Sequence, residues 1–244
     1  LIEIDSMPVN AASGRKQVAP AQGNGANGFA HVENWVFDLD NTLYPAACNL
    51  FAQVDVRIGE FVADLLKIGM EEALHLQKKY YHTYGTTLRG LMLHHHVDPD
   101  AFLDYVHEID VTRIPPSPAM DAALAALPGR KIIFTNGSHR HAENVVNRLG
   151  IGGRFEAIFD IKAADFVPKP DPLTYEFMVR RHWVDPRRSA MVEDLPKNLV
   201  PAHAMGMTTV LVRTQEEWAQ AGADGDHVHH VTEDLVNWLR TVAK

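Results

Sequence analysis

The chain has 244 residues, 46% of them hydrophobic, enough for one large domain or a core domain carrying a smaller insert. A formal net charge of −8 with no dense basic run argues against a nucleic-acid polymer as partner. The lone Cys48 excludes a disulfide framework within one chain, and no run approaches the roughly 18 apolar residues of a membrane span; the cytoplasm is the expected compartment.

Residues 1–32 are small, polar and breaker-rich, as in Asn10-Ala11-Ala12-Ser13-Gly14, and lack the charged and apolar regions of a secretory signal. They read as a disordered leader. Trp35-Val36-Phe37 is the first strand candidate. Residues 46–115 then carry a helical stripe, Phe51, Val54, Ile58, Phe61, Val62 and Leu65, with further helix-like patterns over residues 74–81 and 102–106. Pro115-Pro116-Ser117-Pro118 closes this region.

Beyond it, strand candidates at residues 131–134, 157–159, 190–192 and 209–212 alternate with helical patterns. Ser138 and Gly150 bracket one helix as N-cap and stop, and Asp171-Pro172 opens the next. The helix after Glu193-Asp194 holds Pro196 and Pro201, the second of which should disturb its early turns. The expected fold is α/β, a doubly wound, Rossmann-like parallel sheet built from residues 33–45 and 116–244, with residues 46–115 inserted as a helical cap after the first strand.

Ligands of such sheets bind at the carboxyl ends of the strands, where strand order switches. Four polar clusters follow apolar strands and should converge there. In Asp38-Leu39-Asp40-Asn41-Thr42, two neighbouring carboxylates favour a bound cation or a proton-carrying pair. In Thr135-Asn136-Gly137-Ser138, a hydroxyl and free N–H groups at a helix start suit a phosphate oxygen. Lys169-Pro170 supplies a cation with a stiff neighbour, and Glu193-Asp194 supplies the oxygen ligands that Mg²⁺ prefers.

In this order the clusters resemble the four motifs of the haloacid dehalogenase-like (HAD) hydrolase superfamily, over residues 33–213. The resemblance implies that Asp38 is a nucleophile forming an aspartyl phosphate and Asp40 the general acid/base. It implies that Thr135 and Lys169 hold the transferring phosphoryl group, with Asn136 and Gly137 as substrate-binding neighbours. It further implies Mg²⁺ as cofactor, held by Asp38, Glu193, Asp194 and the backbone carbonyl of Asp40; how binding divides between Glu193 and Asp194 stays open. Dehalogenases of the superfamily lack an acid at the Asp40 position, since a halide leaves without a proton. Asp40 therefore argues for phosphate-ester hydrolysis.

The insert contains Tyr80-Tyr81-His82-Thr83-Tyr84-Gly85-Thr86-Thr87-Leu88-Arg89-Gly90-Leu91, a pattern that resembles the pyrimidine 5'-nucleotidase subgroup. That resemblance implies a small phosphorylated partner, a UMP- or CMP-like nucleotide, with Tyr84 stacking on it and Arg89 donating to a base carbonyl or to the phosphate. His94-His95-His96 reads as solvated surface, whereas His139 and His141 stand where either reaches a substrate phosphate or ribose. The alternatives are the same chemistry on a sugar phosphate, phosphoglycolate or pyridoxal phosphate, and a non-catalytic nucleotide-binding module. Monomer and homodimer both stay open.

Overall fold

Strand β1 (Asn34–Phe37) is buried along its whole length, as an apolar run flanked by parallel neighbours must be. In the computed structural model, which describes residues 28–214 and 220–243, it is followed by an insertion of four helices: α1 (Leu50–Leu66), α2 (Met70–Tyr84), α3 (Thr87–His95) and α4 (Pro99–Val106). The chain then alternates: α5 (Pro118–Ala126), β2 (Arg130–Phe134), α6 (His139–Leu149), β3 (Ala157–Phe159), α7 (Pro172–His182), β4 (Ser189–Glu193), α8 (Pro196–Ala204), β5 (Thr208–Val212), β6 (His230–Thr232) and α9 (Leu235–Val242). The six strands run parallel in the order β3-β2-β1-β4-β5-β6. This is the expected doubly wound α/β core with a helical insertion after its first strand. Because β1 pairs with β2 on one side and β4 on the other, the strand order switches at β1.

Alternation along the strands builds two cores. Trp35 and Phe37 face the layer of α5, α6 and α9, and Val36 faces α7 and α8. The insertion has its own core, in which Val62, Tyr80, Leu91 and Phe102 pack together with Ile161 from the loop after β3.

Local signals set the helix ends. Ser138 caps α6 by accepting from His141 N, and Gly150 ends it at φ 78°, where a side chain would be strained. Asp171 caps α7 with Pro172 in its first turn. Pro201 lies inside α8 without ending it: Met205 N still closes onto the Pro201 carbonyl.

Some expectations change. Phe29 and Val32 are buried and pack with Trp35 in the core, so packed structure begins upstream of the leader boundary at 32; residues 1–27 of that leader lie outside the described residues. In the α1 stripe, Phe51 and Leu65 are exposed, and Leu50 is buried in the place expected for Phe51. Helices α3, α5 and α9 and strand β6 come in addition to the expected elements. Among the described residues no helix is long and apolar enough to cross a membrane.

Candidate active site

Asp38 continues β1: its N–H donates to the Val192 carbonyl of β4, which holds it in register at the switch point. Three residues on, Asn41 adopts a left-handed conformation at φ 61°, which Asn tolerates better than other residues with a side chain. The reversal brings side chains back toward the strand end. Thr42 Oγ1 donates to Asp38 Oδ2 at 3.0 Å, and the Tyr44 hydroxyl donates to Asp40 Oδ1 at 2.6 Å.

Lys169 arrives from the loop before α7. Asn136 clamps its backbone, accepting from Lys169 N at 2.8 Å and donating to Lys169 O at 3.2 Å. The buried ammonium donates to Asp38 Oδ1 at 2.7 Å, Glu193 Oε1 at 2.8 Å and the Phe134 carbonyl at 2.8 Å. Burial alone would drive the Lys169 pKa down, but Asp38 and Glu193 outweigh it and hold it above its ordinary value. Asp38 is pushed up to about 7, first by burial and then by the negative charge of Glu193, despite the opposing Lys169.

Asp38, Glu193 and Asp194 each offer a carboxylate oxygen within 4.8 Å of the others, and all three are buried. Three acids surround one ammonium, so their full ionisation would leave excess negative charge away from water. Asp194 is pushed well above the ordinary carboxylate range by burial and by Glu193. Oxygen donors with this surplus fit a hard divalent cation such as Mg²⁺. Glu193 is otherwise engaged: Oε1 also accepts from Asn198 Nδ2 at 2.6 Å, and Oε2 accepts from Leu195 N at 2.8 Å. Both Asp38 oxygens are likewise engaged, by Lys169 and Thr42, so Asp194 is the freest of the three ligands, and the Asp40 side chain lies outside the cluster.

Asp40 faces a different group. His141 Nε2 donates to Asp40 Oδ1 at 2.8 Å, beside the Tyr44 bond to the same oxygen. Burial works to raise the Asp40 pKa, but the charge and hydrogen bond of His141 together with the Tyr44 bond hold it at about 2. His107, at the end of α4, stacks on His141 with ring centroids 4.5 Å apart and planes at 14°. Its Nδ1 lies 2.9 Å from Ser138 Oγ. Burial and the neighbouring His141 push His107 down to about 3, so the ring is neutral near pH 7.

Thr135 and Gly137 complete this edge. Gly137 N donates to Thr135 Oγ1 at 2.9 Å, and a Cβ at Gly137 would stand 3.2 Å from that oxygen and 3.8 Å from Asp40 Oδ2. A side chain at 137 would fill the space between hydroxyl and carboxylate.

The structure brings Asp38, Asp40, Thr135, Gly137, Lys169, Glu193 and Asp194 to one strand edge, and it gives Arg89, Tyr84 and Asn136 partners within the protein. Arg89 Nη1 donates to the Phe166 carbonyl at 3.2 Å, which docks α3 on the loop before Lys169. The Tyr84 hydroxyl pairs with His94 Nε2 at 2.5 Å and the Tyr80 hydroxyl with His95 Nε2 at 2.7 Å, so the histidine run serves the tyrosines of the cap. The Asn136 side chain is spent on Lys169. His139 is exposed, 3.6 Å from Glu143, and only His141 reaches the acidic edge. Further bonds dock the insertion: Lys197 Nζ donates to the Tyr81 hydroxyl at 2.9 Å, and Lys162 Nζ lies 2.6 Å from Asp100 Oδ1.

Sequence reasoning places Thr42 in the first cluster without giving it a role, and assigns no site role to Tyr44, Asn198 or His107. Spacing carries a signal for Thr42 and Tyr44, since each returns to the acid four residues before it, Asp38 and Asp40, through a tight left-handed turn for which Asn41 is the mark. Asn198 and His107 carried none, because each is defined by contact with a distant segment.

Comparison with known proteins gives a consistent picture. The family profile described as haloacid dehalogenase-like hydrolase matches residues 34–206. The chain is 28% identical over 193 residues to Phosphate metabolism protein 8 of Saccharomyces cerevisiae; the match covers 72% of this chain and 60% of that protein. Its fold is similar to L-2-haloacid dehalogenase from Xanthobacter autotrophicus, with a TM-score of 0.55 at 17% identity over 86% of this chain and 98% of that one. It is also similar to a HAD phosphatase from Thermococcus onnurineus, with a TM-score of 0.60 at 15% identity over 86% of this chain and 97% of that one.

Proposed function

Because this chain belongs to the haloacid dehalogenase-like hydrolases, we propose that it is a Mg²⁺-dependent phosphomonoesterase, acting on pyrimidine nucleoside 5'-monophosphates through an aspartyl phosphate on Asp38. The observation that carries phosphate-ester hydrolysis is Asp40, a second carboxylate beside the first, oriented by Tyr44 and His141. A halide leaving group gives such a group nothing to do; an alkoxide needs its proton. The likeness to dehalogenase structures is one of fold, and Asp40 separates the two chemistries.

Asp38, Asp194 and Glu193 would hold the divalent cation. When bound, it offsets the charge between an anionic phosphate and a carboxylate nucleophile. Lys169 adds its ammonium beside Asp38 Oδ1, and Thr42 keeps Oδ2 oriented, so Asp38 is aimed before substrate arrives. Thr135 offers its hydroxyl to a phosphoryl oxygen. Asp40 is ionised in the free protein; the incoming phosphate is a like charge that raises its pKa and favours the protonated form required for leaving-group departure. The same group, once deprotonated, accepts the proton of the water that hydrolyses the aspartyl phosphate.

The nucleotide assignment is supported by the resemblance of residues 80–91 to pyrimidine 5'-nucleotidases. Since Arg89 and Tyr84 are engaged with protein partners, a second reading is a cap that selects a small phosphate ester by shape. Phosphate release from UMP, CMP, dTMP, AMP, GMP, glucose 6-phosphate, phosphoglycolate and pyridoxal phosphate, with Mg²⁺ and with EDTA, separates them. A Mg²⁺-dependent preference for pyrimidine monophosphates supports the first, and a preference for a non-nucleotide ester the second. Release from none of them overturns both.

A further inference from the structure

The two oxygens of Asp40 are treated differently. Oδ1 accepts from both the Tyr44 hydroxyl, at 2.6 Å, and His141 Nε2, at 2.8 Å. Oδ2 has no donor among the described residues and faces the bare Cα of Gly137, on the side of the Thr135 hydroxyl. Both donor side chains are buried at 1% exposure, so each costs desolvation and is fixed in place. His141 makes no use of its other nitrogen: Nδ1 has no partner among the described residues. Among the described residues its one side-chain hydrogen bond is to Asp40. The stacked ring of His107 limits its rotation.

We propose that Tyr44 and His141 are positioning residues for proton transfer, occupying Oδ1 of Asp40 so that Oδ2 is the oxygen that exchanges protons with substrate and water. The inference rests on the phosphomonoesterase reading. In the first step Asp38 forms a bond to phosphorus, the bond from phosphorus to the ester oxygen breaks with its electron pair on that oxygen, and the proton on Asp40 Oδ2 moves to it. In the second, water oxygen bonds to phosphorus, its proton moves to Oδ2, and the bond from phosphorus to Asp38 breaks. With both donors aimed at Oδ1, a proton there would meet two N–H or O–H hydrogens. Oδ2 is left as the site of exchange, and its direction is set by the two bonds to its partner atom.

The test compares an alkyl ester, the best substrate of the panel above, with 2,4-dinitrophenyl phosphate, whose leaving group departs without a proton. The readout is kcat/KM, which reports steps up to phosphoryl transfer onto Asp38 and leaves the hydrolytic step aside. The variants are Tyr44→Phe, which removes one hydroxyl, His141→Phe, which keeps a stacked ring without a donor, and His141→Gln, which restores a donor. Tyr44→Phe and His141→Phe should each lower kcat/KM for the alkyl ester by about 10- to 100-fold, a share of the roughly 10²- to 10⁴-fold due to acid–base catalysis. For dinitrophenyl phosphate the loss should stay under about threefold, and His141→Gln should recover part of the alkyl-ester rate. Equal losses on both substrates, or none on either, overturn the inference while the functional reading stands. Wild-type protein that hydrolyses no phosphate ester overturns the reading and this inference together. If His141→Phe fails to fold by circular dichroism, Tyr44→Phe and His141→Gln decide the matter.

Discussion

Lys169 Nζ lies 2.7 Å from Asp38 Oδ1, and the same ammonium reaches Glu193, so a single buried cation faces two acids from two adjacent strands. A third acid, Asp194, has no such partner, and this imbalance governs how the protein should respond to substitution, pH and metal.

Lys169→Met leaves the acidic cluster buried without its ammonium. Removing one partner of a buried ion pair costs about 3–5 kcal/mol, so the variant should melt well below wild type in EDTA, recover part of the difference in millimolar Mg²⁺, and show no turnover. Differential scanning fluorimetry with and without Mg²⁺ measures this; an unchanged melt in EDTA would contradict the assigned charge state of the site.

Asp38→Asn should abolish phosphate release and yet stabilise the metal-free protein. The folded-state pKa of Asp38, about 7, lies above its ordinary 3.8, so folding favours the neutral form and stability falls as pH rises through that window. At pH 8 in EDTA, where wild-type Asp38 is charged, the neutral Asn should raise Tm by several degrees, at about 2–4 °C per kcal/mol for a chain of this size. A lower Tm for the variant under those conditions would show that the Lys169 pair outweighs the burial of the charge.

Opposed proton linkages follow from Asp38 and His107. Between about pH 4 and 6.5 the folded chain holds an extra proton at Asp38, while the unfolded chain holds one at His107, whose folded pKa is about 3 against 6.5. His107 stability is thus fully present above 6.5 and is lost as pH falls toward 3. One proton changes the slope by about 1.4 kcal/mol per pH unit. Relative to wild type, Asp38→Asn should make stability rise more steeply with pH over this range, and His107→Phe less steeply. Urea melts in EDTA at half-unit pH steps read both, and two variants with the wild-type slope would sink the assignment.

Metal dependence should divide the acidic pair unequally. Glu193 is held by Lys169, Asn198 and Leu195 N, whereas Asp194 meets the neighbouring acid Glu193, a contact between two carboxyl groups that a cation relieves. Asp194→Asn should remove most of the Mg²⁺-dependent rise in Tm with little loss in EDTA. Glu193→Gln should lower Tm in EDTA and retain more of the Mg²⁺ response. Thermal melts across a Mg²⁺ titration distinguish the two, and a reversed order would assign Glu193 the larger share.

Arg89 docks the cap through the Phe166 carbonyl. Arg89→Ala should therefore reduce kcat/KM by a similar factor for every nucleotide of the panel. A change in the ratio of UMP to AMP hydrolysis would instead assign the guanidinium to the base.

Much of this architecture is legible in the sequence because the strands are short apolar runs whose next residues are polar. Asp38, Thr135, Lys169 and Glu193 follow this rule or lie in loops at the same edge. Strand β6 escapes it: His230-Val231-Thr232 is half-exposed at the sheet edge and has no apolar run to announce it. Helix α9 carried a usable signal, Asp234 as N-cap before Leu235 and Leu239. The cap side chains' partners within the protein are not legible for a different reason. Tyr84 and Arg89 have the chemistry of ligand contacts, but their partners, His94 and Phe166, depend on how two helices and a distant loop meet, which spacing along the chain does not encode.

The left-handed turn at Asn41 makes one residue's conformation a condition for the chemistry of four others. Asn41→Gly would relieve the backbone there, whereas Asn41→Val would force a β-branched residue into a conformation it avoids and pull Thr42 and Tyr44 off Asp38 and Asp40 together. Variation at position 41 is thus limited by chain geometry, and a change of backbone conformation there would register as the joint loss of nucleophile and acid.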